Sequence, residues 1–208
     1  MPGLFAWATI SDSLPMQPNA LAFIALCNEF CSALEQLATG GSQAITDRKD
    51  FVASMLNYIP RLYIAATDLK SPDAVDYTIG DNDDVVDSGF YDMSADWAID
   101  NLLEEEYYES VRRAIGGVMG QDDVFLEVFE EDMKYSETPI SASVSEGLAD
   151  IFQSLYNFIE TVRDAPSERI YSALAAAKDD FEHYWSRIAC NILRALNNTR
   201  YFSTSTDE

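Results

Sequence analysis

Basic residues are scarce in this chain: 13 lysines and arginines stand against 36 aspartates and glutamates in 208 residues, for a net charge of −23. Binding to a phosphate backbone requires clustered basic side chains that displace counterions, and no stretch of this sequence supplies such a cluster. The same sign of charge disfavours anionic membrane surfaces. We therefore expect no nucleic-acid partner and no membrane partner, whereas a basic protein or a cation suits the charge.

Cysteine and histidine are also few. The chain has three cysteines, and its single histidine is His183, so the CxxxC pair of Cys27 and Cys31 lacks the further ligands of a zinc site. Cys27 and Cys31 share one face of a predicted helix, and we interpret them as small buried hydrophobic residues. His183 is interpreted as structural, because neither a partner nor a pocket for acid–base chemistry is visible around it.

Long hydrophobic runs are missing as well. The N-terminal residues carry no basic segment of the kind that opens a signal peptide. The longest uncharged apolar run nearby, residues 20–27, is too short to span a bilayer. Three cysteines fit a reducing compartment, and we expect a cytoplasmic protein.

The acidic residues are concentrated in one third of the chain. Residues 68–137 hold 21 acidic and four basic side chains, which leaves a net charge of −17 in that stretch. Within it, residues 70–100 show no apolar period and contain many turn-forming residues, which predicts a long loop. The run Asp81, Asn82, Asp83 and Asp84 does not match an EF-hand, because valines occupy the fifth and sixth positions of that loop.

Outside this loop, apolar residues recur at spacings of three and four, which is the period of helices. Hydrophobic residues make up 48% of the chain and aromatic residues 12%, enough for a sizeable core. The predicted helices cover residues 18–38, 48–69, 104–118, 122–129 or 122–133, 142–163 and 167–198. We predict an all-α fold without a sheet, a single-domain antiparallel bundle of five or six helices over residues 1–208, with an N-terminal arm at 1–16, an acidic loop at 70–100 and a frayed tail at 202–208.

The last two predicted helices are separated only by Ala165 and Pro166, so we expect them to form an antiparallel hairpin at the centre of the core. The residues predicted to be buried there are Phe152, Leu155, Phe181 and Ile188. The sequence leaves the placement of Glu29 open: it lies either at the rim of the first helix or inside the core, paired with Arg61 or Arg194.

One pattern of carboxylates suggests an enzyme. Glu106 and Glu109 form an ExxE motif, and Glu127 and Glu130 form a second one after 17 intervening residues. Helical nucleotide pyrophosphohydrolases hold magnesium between paired carboxylates of this kind, and the metal then bridges substrate phosphates. A stretch this rich in acids also produces such spacings by chance, so a solvated acidic face is the favoured interpretation.

Three segments resemble a known family. They are DDVFLEVFEEDMKYSETPISASVSEGLADIFQSLYNFIETVR at residues 122–163, NEFCSALE at 28–35 and FEHYWSRIACNILRALNNTRY at 181–201. Together they resemble bacterial all-helical proteins that are catalogued only as a domain of unknown function, and the resemblance covers roughly residues 20–201. It implies a single helical domain, bacterial and cytosolic, without an assigned activity or catalytic residue.

The sequence therefore predicts a non-enzymatic interaction module with an acidic surface at residues 73–109 and 122–132 that docks a basic partner protein. The residues expected to carry this docking are Asp81, Asp83, Asp84 and Asp87. No cofactor is expected. The alternative is a magnesium-dependent, pyrophosphohydrolase-like enzyme that uses Glu106, Glu109, Glu127 and Glu130.

Overall fold

The computed structural model describes residues 18–69, 99–127 and 140–202, and these residues are mostly helical. The first half contributes three helices: α1 at Pro18–Thr39, α2 at Arg48–Thr67 and α3 at Glu105–Met119. A 3₁₀ turn at Gly120–Asp122 follows, and then come the short strands β1 at Val124–Leu126 and β2 at Ser141–Ser143. The second half contains α4 at Val144–Val162, α5 at Ser167–Asp180, a π-helical turn at Phe181–Trp185 and α6 at Ser186–Tyr201.

The helix boundaries follow local signals in the sequence. The side chain of Asp47 accepts a 3.0 Å hydrogen bond from the backbone N–H of Asp50 and caps α2. Ser143 caps α4 in the same way, with its Oγ 3.2 Å from the N–H of Glu146. Gly120 ends α3 with a positive φ of 59°, which a residue without Cβ adopts at little cost.

Helix α4 lies at the centre of the described core and packs against α1, α3, α5 and α6. Thirteen of its 19 residues are buried. Phe152, Leu155 and Phe181 are buried as predicted, whereas Ile188 is half-buried. Cys27 and Cys31 are also buried, as predicted, and burial raises the pKa of both thiols.

The mainly helical prediction is confirmed, but the prediction that no sheet occurs is wrong. Val124–Leu126 was predicted to be helical and instead pairs antiparallel with Ser141–Ser143, which had been placed in part at the start of α4. The reason lies in Asp123, whose carboxylate oxygens accept hydrogen bonds from the N–H (2.8 Å) and Oγ (2.7 Å) of Ser145. Asp123 therefore ties the end of the 3₁₀ turn to the first residues of α4, beside the N-cap Ser143, and the residues that follow Asp123 pair with the segment just before that helix. The remainder of the predicted helix, residues 128–133, lies outside the described residues.

The predicted long helix at 167–198 is interrupted once. At the π-helical turn, the N–H of Ser186 donates to the carbonyl of Phe181, five residues back. This turn directs Phe181 and Trp185 into the core together, with ring centroids 4.6 Å apart. Tyr184, predicted to lie in the apolar stripe, remains 46% exposed as a result.

Helix α1 is the one helix in the described part of the chain that is long and apolar enough to cross a membrane by length and composition alone. Eight of its residues are buried, and it packs against α2, α3 and α4. Core helices pass the same test, so this finding is weak evidence for a membrane span. Glu29 lies at the rim of α1, half-exposed, with one carboxylate oxygen 4.0 Å from Nη1 of Arg61.

Candidate functional site

Two consecutive tyrosines of α3 bond carboxylates on two different helices. Tyr107 Oη donates to Oε1 of Glu35 on α1 at 3.0 Å, and Tyr108 Oη donates to Oδ1 of Asp150 on α4 at 2.7 Å. The side chains of neighbouring residues on a helix point about 100° apart. Tyr107 and Tyr108 can therefore reach two different helices from adjacent positions. Burial, followed by the neighbouring carboxylates, raises the pKa of both tyrosines, so both hydroxyls remain protonated donors.

A cleft of about 370 Å³ lies where residues 99–104 cross the outer face of α4. We call it the α4 cleft. Its lining side chains come from the crossing segment, α4 and α5, and most of them are polar: Ile99, Asn101, Gln153, Asn157, Ala176 and Asp180.

Asn157 and Thr161 hold the crossing segment in place. Oδ1 of Asn157 accepts hydrogen bonds from the backbone N–H groups of both Leu102 and Leu103, each at 2.9 Å. Oγ1 of Thr161 accepts a third, at 3.2 Å, from the N–H of Asp100. These buried side chains supply the partners that an extended backbone needs, and they fix one wall of the cleft.

Asp180 is the one ionisable residue among those that line the α4 cleft. Burial raises the pKa of its carboxyl group, a hydrogen bond from Ser154 opposes that rise, and the negative charge of Asp179 adds to it. No basic side chain of the described residues is among these influences. Within residues 18–69, 99–127 and 140–202, Asp180 is therefore a partly desolvated carboxylate that forms no ion pair.

The acidic character continues along α4 beyond the cleft. Asp150 lies one turn before Ser154, and Glu146 lies one turn before Asp150. Burial first, then hydrogen bonding and charge from Asp150 and the charges of Asp180 and Glu146, raise the pKa of Tyr184. The carboxylates of Asp150 and Glu146 on α4 and of Asp180 on α5 thus all act on Tyr184 in the π-helical turn.

The ExxE residues have separate partners where they are described. Glu109 accepts a 2.8 Å bond from Nη2 of Arg112 on its own helix, and Glu127 accepts a 2.8 Å bond from Nδ2 of Asn191 on α6. Glu106 is exposed at the start of α3, and Glu130 lies outside the described residues. Across residues 18–69, 99–127 and 140–202, no three Asp, Glu, His or Cys residues group closely enough to hold a metal ion. The four-carboxylate site stays a prediction, because one member is not described.

The remaining predicted residues lie either at the surface or outside the described part of the chain. The docking residues Asp81, Asp83, Asp84 and Asp87 lie outside the described part of the chain. His183 is exposed, and its Nδ1 lies 3.1 Å from Oδ1 of Asp179 one turn earlier; a backbone hydrogen bond and the charge of that aspartate raise the histidine's pKa.

Sequence reasoning missed the α4 cleft. The available signal was the pair Asn157 and Thr161, two polar residues four apart within the otherwise apolar pattern of α4. Polar side chains buried in a helix usually bond something nearby. Their partners here are 54 to 61 residues away in the chain, so the sequence alone could not identify them.

Comparisons with known proteins agree with this fold. A family model described as a domain of unknown function, DUF5063, matches residues 15–202. The structure is similar to the crystal structure of protein BF1032 from Bacteroides fragilis, with a TM-score of 0.67, 25% sequence identity, and coverage of 91% of this chain and 96% of that chain. Among curated proteins, none matches the chain.

Proposed function

The chain belongs to the DUF5063 family of domains of unknown function, and we propose that it is a non-catalytic binding module that docks a basic protein on its acidic surface. The family match supplies no reaction, so the proposal is based on the charge and its placement. Residues 68–137 carry −17 of the net charge of −23. A fold that needed only solubility would suffer less self-repulsion with the same charge spread evenly.

The observation that supports this proposal best is the start of α3. Glu104, Glu105 and Glu106 are three consecutive exposed carboxylates. Within residues 18–69, 99–127 and 140–202, none of the three side chains makes an ion pair or a side-chain hydrogen bond. The positive end of the helix dipole reduces the cost of this charge, and the carboxylates stay available to lysines or arginines of a partner.

The proposed docking surface extends from Glu104–Glu106 to the predicted acidic loop at residues 70–100, with Asp81, Asp83, Asp84 and Asp87. The remaining parts of the proposal are a single antiparallel bundle of five or six helices, a bacterial cytoplasmic location and no cofactor. Complementary charge chiefly sets the rate and specificity of association, so the interaction should weaken as salt is added.

The experiment compares two pairs of charge-neutralising substitutions. Glu105→Gln with Glu106→Gln removes two charges from the proposed surface. Asp50→Asn with Asp164→Asn removes two exposed charges elsewhere, and Asp50, like Glu105, lies in the first turn of its helix. Each protein is immobilised and exposed to a lysate of the native cell at low and at high salt, and captured proteins are identified by mass spectrometry.

The proposal predicts a basic protein that is captured by the wild type and the control at low salt, is released at high salt, and is captured less by the Glu105/Glu106 variant. Capture that is equal for all three proteins at both salt concentrations contradicts it. Magnesium-dependent release of pyrophosphate from nucleotides, abolished by Glu127→Gln, would replace it with the hydrolase interpretation.

A further inference from the structure

The α4 cleft combines hydrogen-bond acceptors with a small apolar wall. Asp180 offers a carboxylate, and Asn101 and Gln153 each offer an amide carbonyl. Ile99 and Ala176 line the same cleft with aliphatic atoms. This combination suits a ligand whose polar end donates hydrogen bonds and carries positive charge, and whose remainder is a narrow aliphatic chain.

The hydrogen-bond acceptors that line the cleft differ in how many hydrogen bonds they already accept. Oδ1 of Asn157 already accepts two backbone N–H groups and belongs to the wall. Gln153 makes no hydrogen bond within the described part of the chain. Ser154 influences the pKa of Asp180 and so lies near its carboxylate, whose two oxygens keep most of their capacity for hydrogen bonds. Asp180 and Gln153 are therefore the groups most available to a ligand.

The bases on α5 do not neutralise Asp180. Lys178 donates to the backbone carbonyls of Ala66 (3.1 Å) and Thr67 (2.8 Å) and so caps the C-terminal end of α2. It also forms an ion pair with Glu182 at 3.3 Å. Arg169 pairs with Asp100 at 3.0 Å. A partly buried carboxylate without a cation is costly, and a positively charged ligand group would remove that cost.

We propose that the α4 cleft binds an alkylammonium group, namely the side chain of a lysine on the docked partner, with its ammonium on Asp180 and its methylenes against Ile99 and Ala176. An ammonium carries three donors on one atom, which matches acceptors that converge from separate residues. A guanidinium is suited to the two oxygens of one carboxylate, whereas the acceptors of this cleft belong to different residues, Asp180, Asn101 and Gln153. Lysine stems pack against apolar surface in this manner.

The choice of a partner's lysine over a free amine follows from the surroundings. Glu146 and Asp150 continue the acidic strip along α4 past the cleft, where a small amine bound in the cleft would not reach them. A polypeptide with further basic residues would reach both. In this respect the inference rests on the proposed function, since it identifies how the basic partner is held.

The test uses a short basic peptide with a single central lysine, together with versions in which norleucine or arginine replaces that lysine, and n-butylamine as the free amine. Titration calorimetry measures the affinity of each for the full chain, for Asp180→Asn and for Asp179→Asn. Asp179→Asn removes the same charge one residue earlier, at an exposed position that pairs with His183, and is the matched control.

We expect the lysine peptide to bind the wild type and the Asp179→Asn control within about twofold, and Asp180→Asn about tenfold more weakly, the loss typical of a hydrogen bond to a charged group. The norleucine peptide should show the same weak binding to all three proteins. Gln153→Leu provides a second variant, which should weaken the lysine peptide and leave the norleucine peptide unchanged or tighter.

Three outcomes would overturn the inference: equal binding of the lysine and norleucine peptides, wild-type affinity in Asp180→Asn, or preference for the arginine peptide. Binding of n-butylamine as tight as that of the lysine peptide would make the cleft a small-amine site and refute the partner's lysine. Failure of the proposed function looks different, because lysine-peptide binding would then persist while no basic protein is captured by the intact chain.

Discussion

Tyr108 Oη donates a 2.7 Å hydrogen bond to Oδ1 of Asp150, and this bond ties α3 to the acidic strip of α4. Burial and the negative charge of Asp150 also raise the pKa of Tyr184 at the π-helical turn. Asp150 thus links α3 to α4 by a hydrogen bond and influences the π-helical turn through its charge. The position of the α3 start, with its three exposed glutamates, depends on such links.

Replacing Tyr108 with phenylalanine removes this donor and keeps the ring. Because the lost bond ends on a partly buried carboxylate, we expect the free energy of unfolding to fall by about 1 kcal/mol. Urea denaturation measures it. Tyr171→Phe, a half-buried tyrosine on α5, is the control and should change stability by less than about 0.5 kcal/mol. An equal effect of the two variants would mean that the Tyr108–Asp150 bond adds no stability.

Gly147 lies at a tight contact between α4 and α6. A Cβ at this position would lie 2.6 Å from Cδ1 of Ile192 and 3.0 Å from Cγ2 of Ile188. Gly147→Ala should therefore cost about 1–3 kcal/mol, the usual penalty of overpacking. Gly117, on α3, has nothing within 4 Å of such a Cβ, and Gly117→Ala should add about 0.5–1 kcal/mol. Thermal unfolding of both variants gives the comparison, and a gain in stability for Gly147→Ala would refute the close packing.

Asp123 is predicted to contribute more to stability than its neighbour Asp122. Asp123→Ala removes the acceptor for the N–H and Oγ of Ser145 at the start of α4, which should cost about 1–2 kcal/mol. Asp122→Ala breaks only a 2.8 Å pair with the partly exposed Arg48, and should cost less than about 1 kcal/mol. The reverse order in chemical denaturation would show that Asp123 does not determine where α4 begins.

Asp180 gives a pH dependence of defined sign. Burial raises the pKa of this carboxyl group in the folded chain, so the unfolded chain releases the proton at a lower pH than the folded chain. The stability that this group contributes is present below its unfolded pKa and is lost as pH rises through the folded pKa.

Asp180→Asn should therefore be more stable than the wild type at neutral pH, and the difference should shrink as pH falls towards about 3.9, the usual value for aspartate. Urea titrations at a series of pH values test this, with the exposed Asp164→Asn as control. A difference that grows on acidification would reverse the sign and refute the assignment.

The sequence predicted a helix well where the signals for it, a periodic apolar stripe and its caps, lie within the helix or next to its ends. The boundaries of α1, α2 and α3 agree with the predicted ones within two residues, because caps such as Asp47 and Gly120 act on their own helix. Val124–Leu126 was misassigned because its partner strand begins at Ser141, beyond the reach of local periodicity. The π-helical turn left no recognisable pattern in FEHYW.

The candidate site was less predictable than the fold. The resemblance to a family of unknown function was correct, but such a family assigns no residue. The α4 cleft forms through hydrogen bonds such as the one from the N–H of Leu102 to Oδ1 of Asn157, two residues 55 apart in the chain. Hydrogen bonds between residues so far apart produce no regular spacing that could be recognised in the sequence. The excess of acids was plain from composition, whereas the placement of Asp180 beside a polar cleft required the structure.

The central claim is that exposed carboxylates at the start of α3 bind a basic protein. The most direct measurement is the affinity of a captured, purified partner for the wild type and for Glu105→Gln with Glu106→Gln, over a series of salt concentrations. The account predicts that Kd for the wild type weakens steadily as salt is added, and that the double variant binds more weakly with a shallower salt dependence. A Kd independent of salt and identical for the two proteins would contradict it.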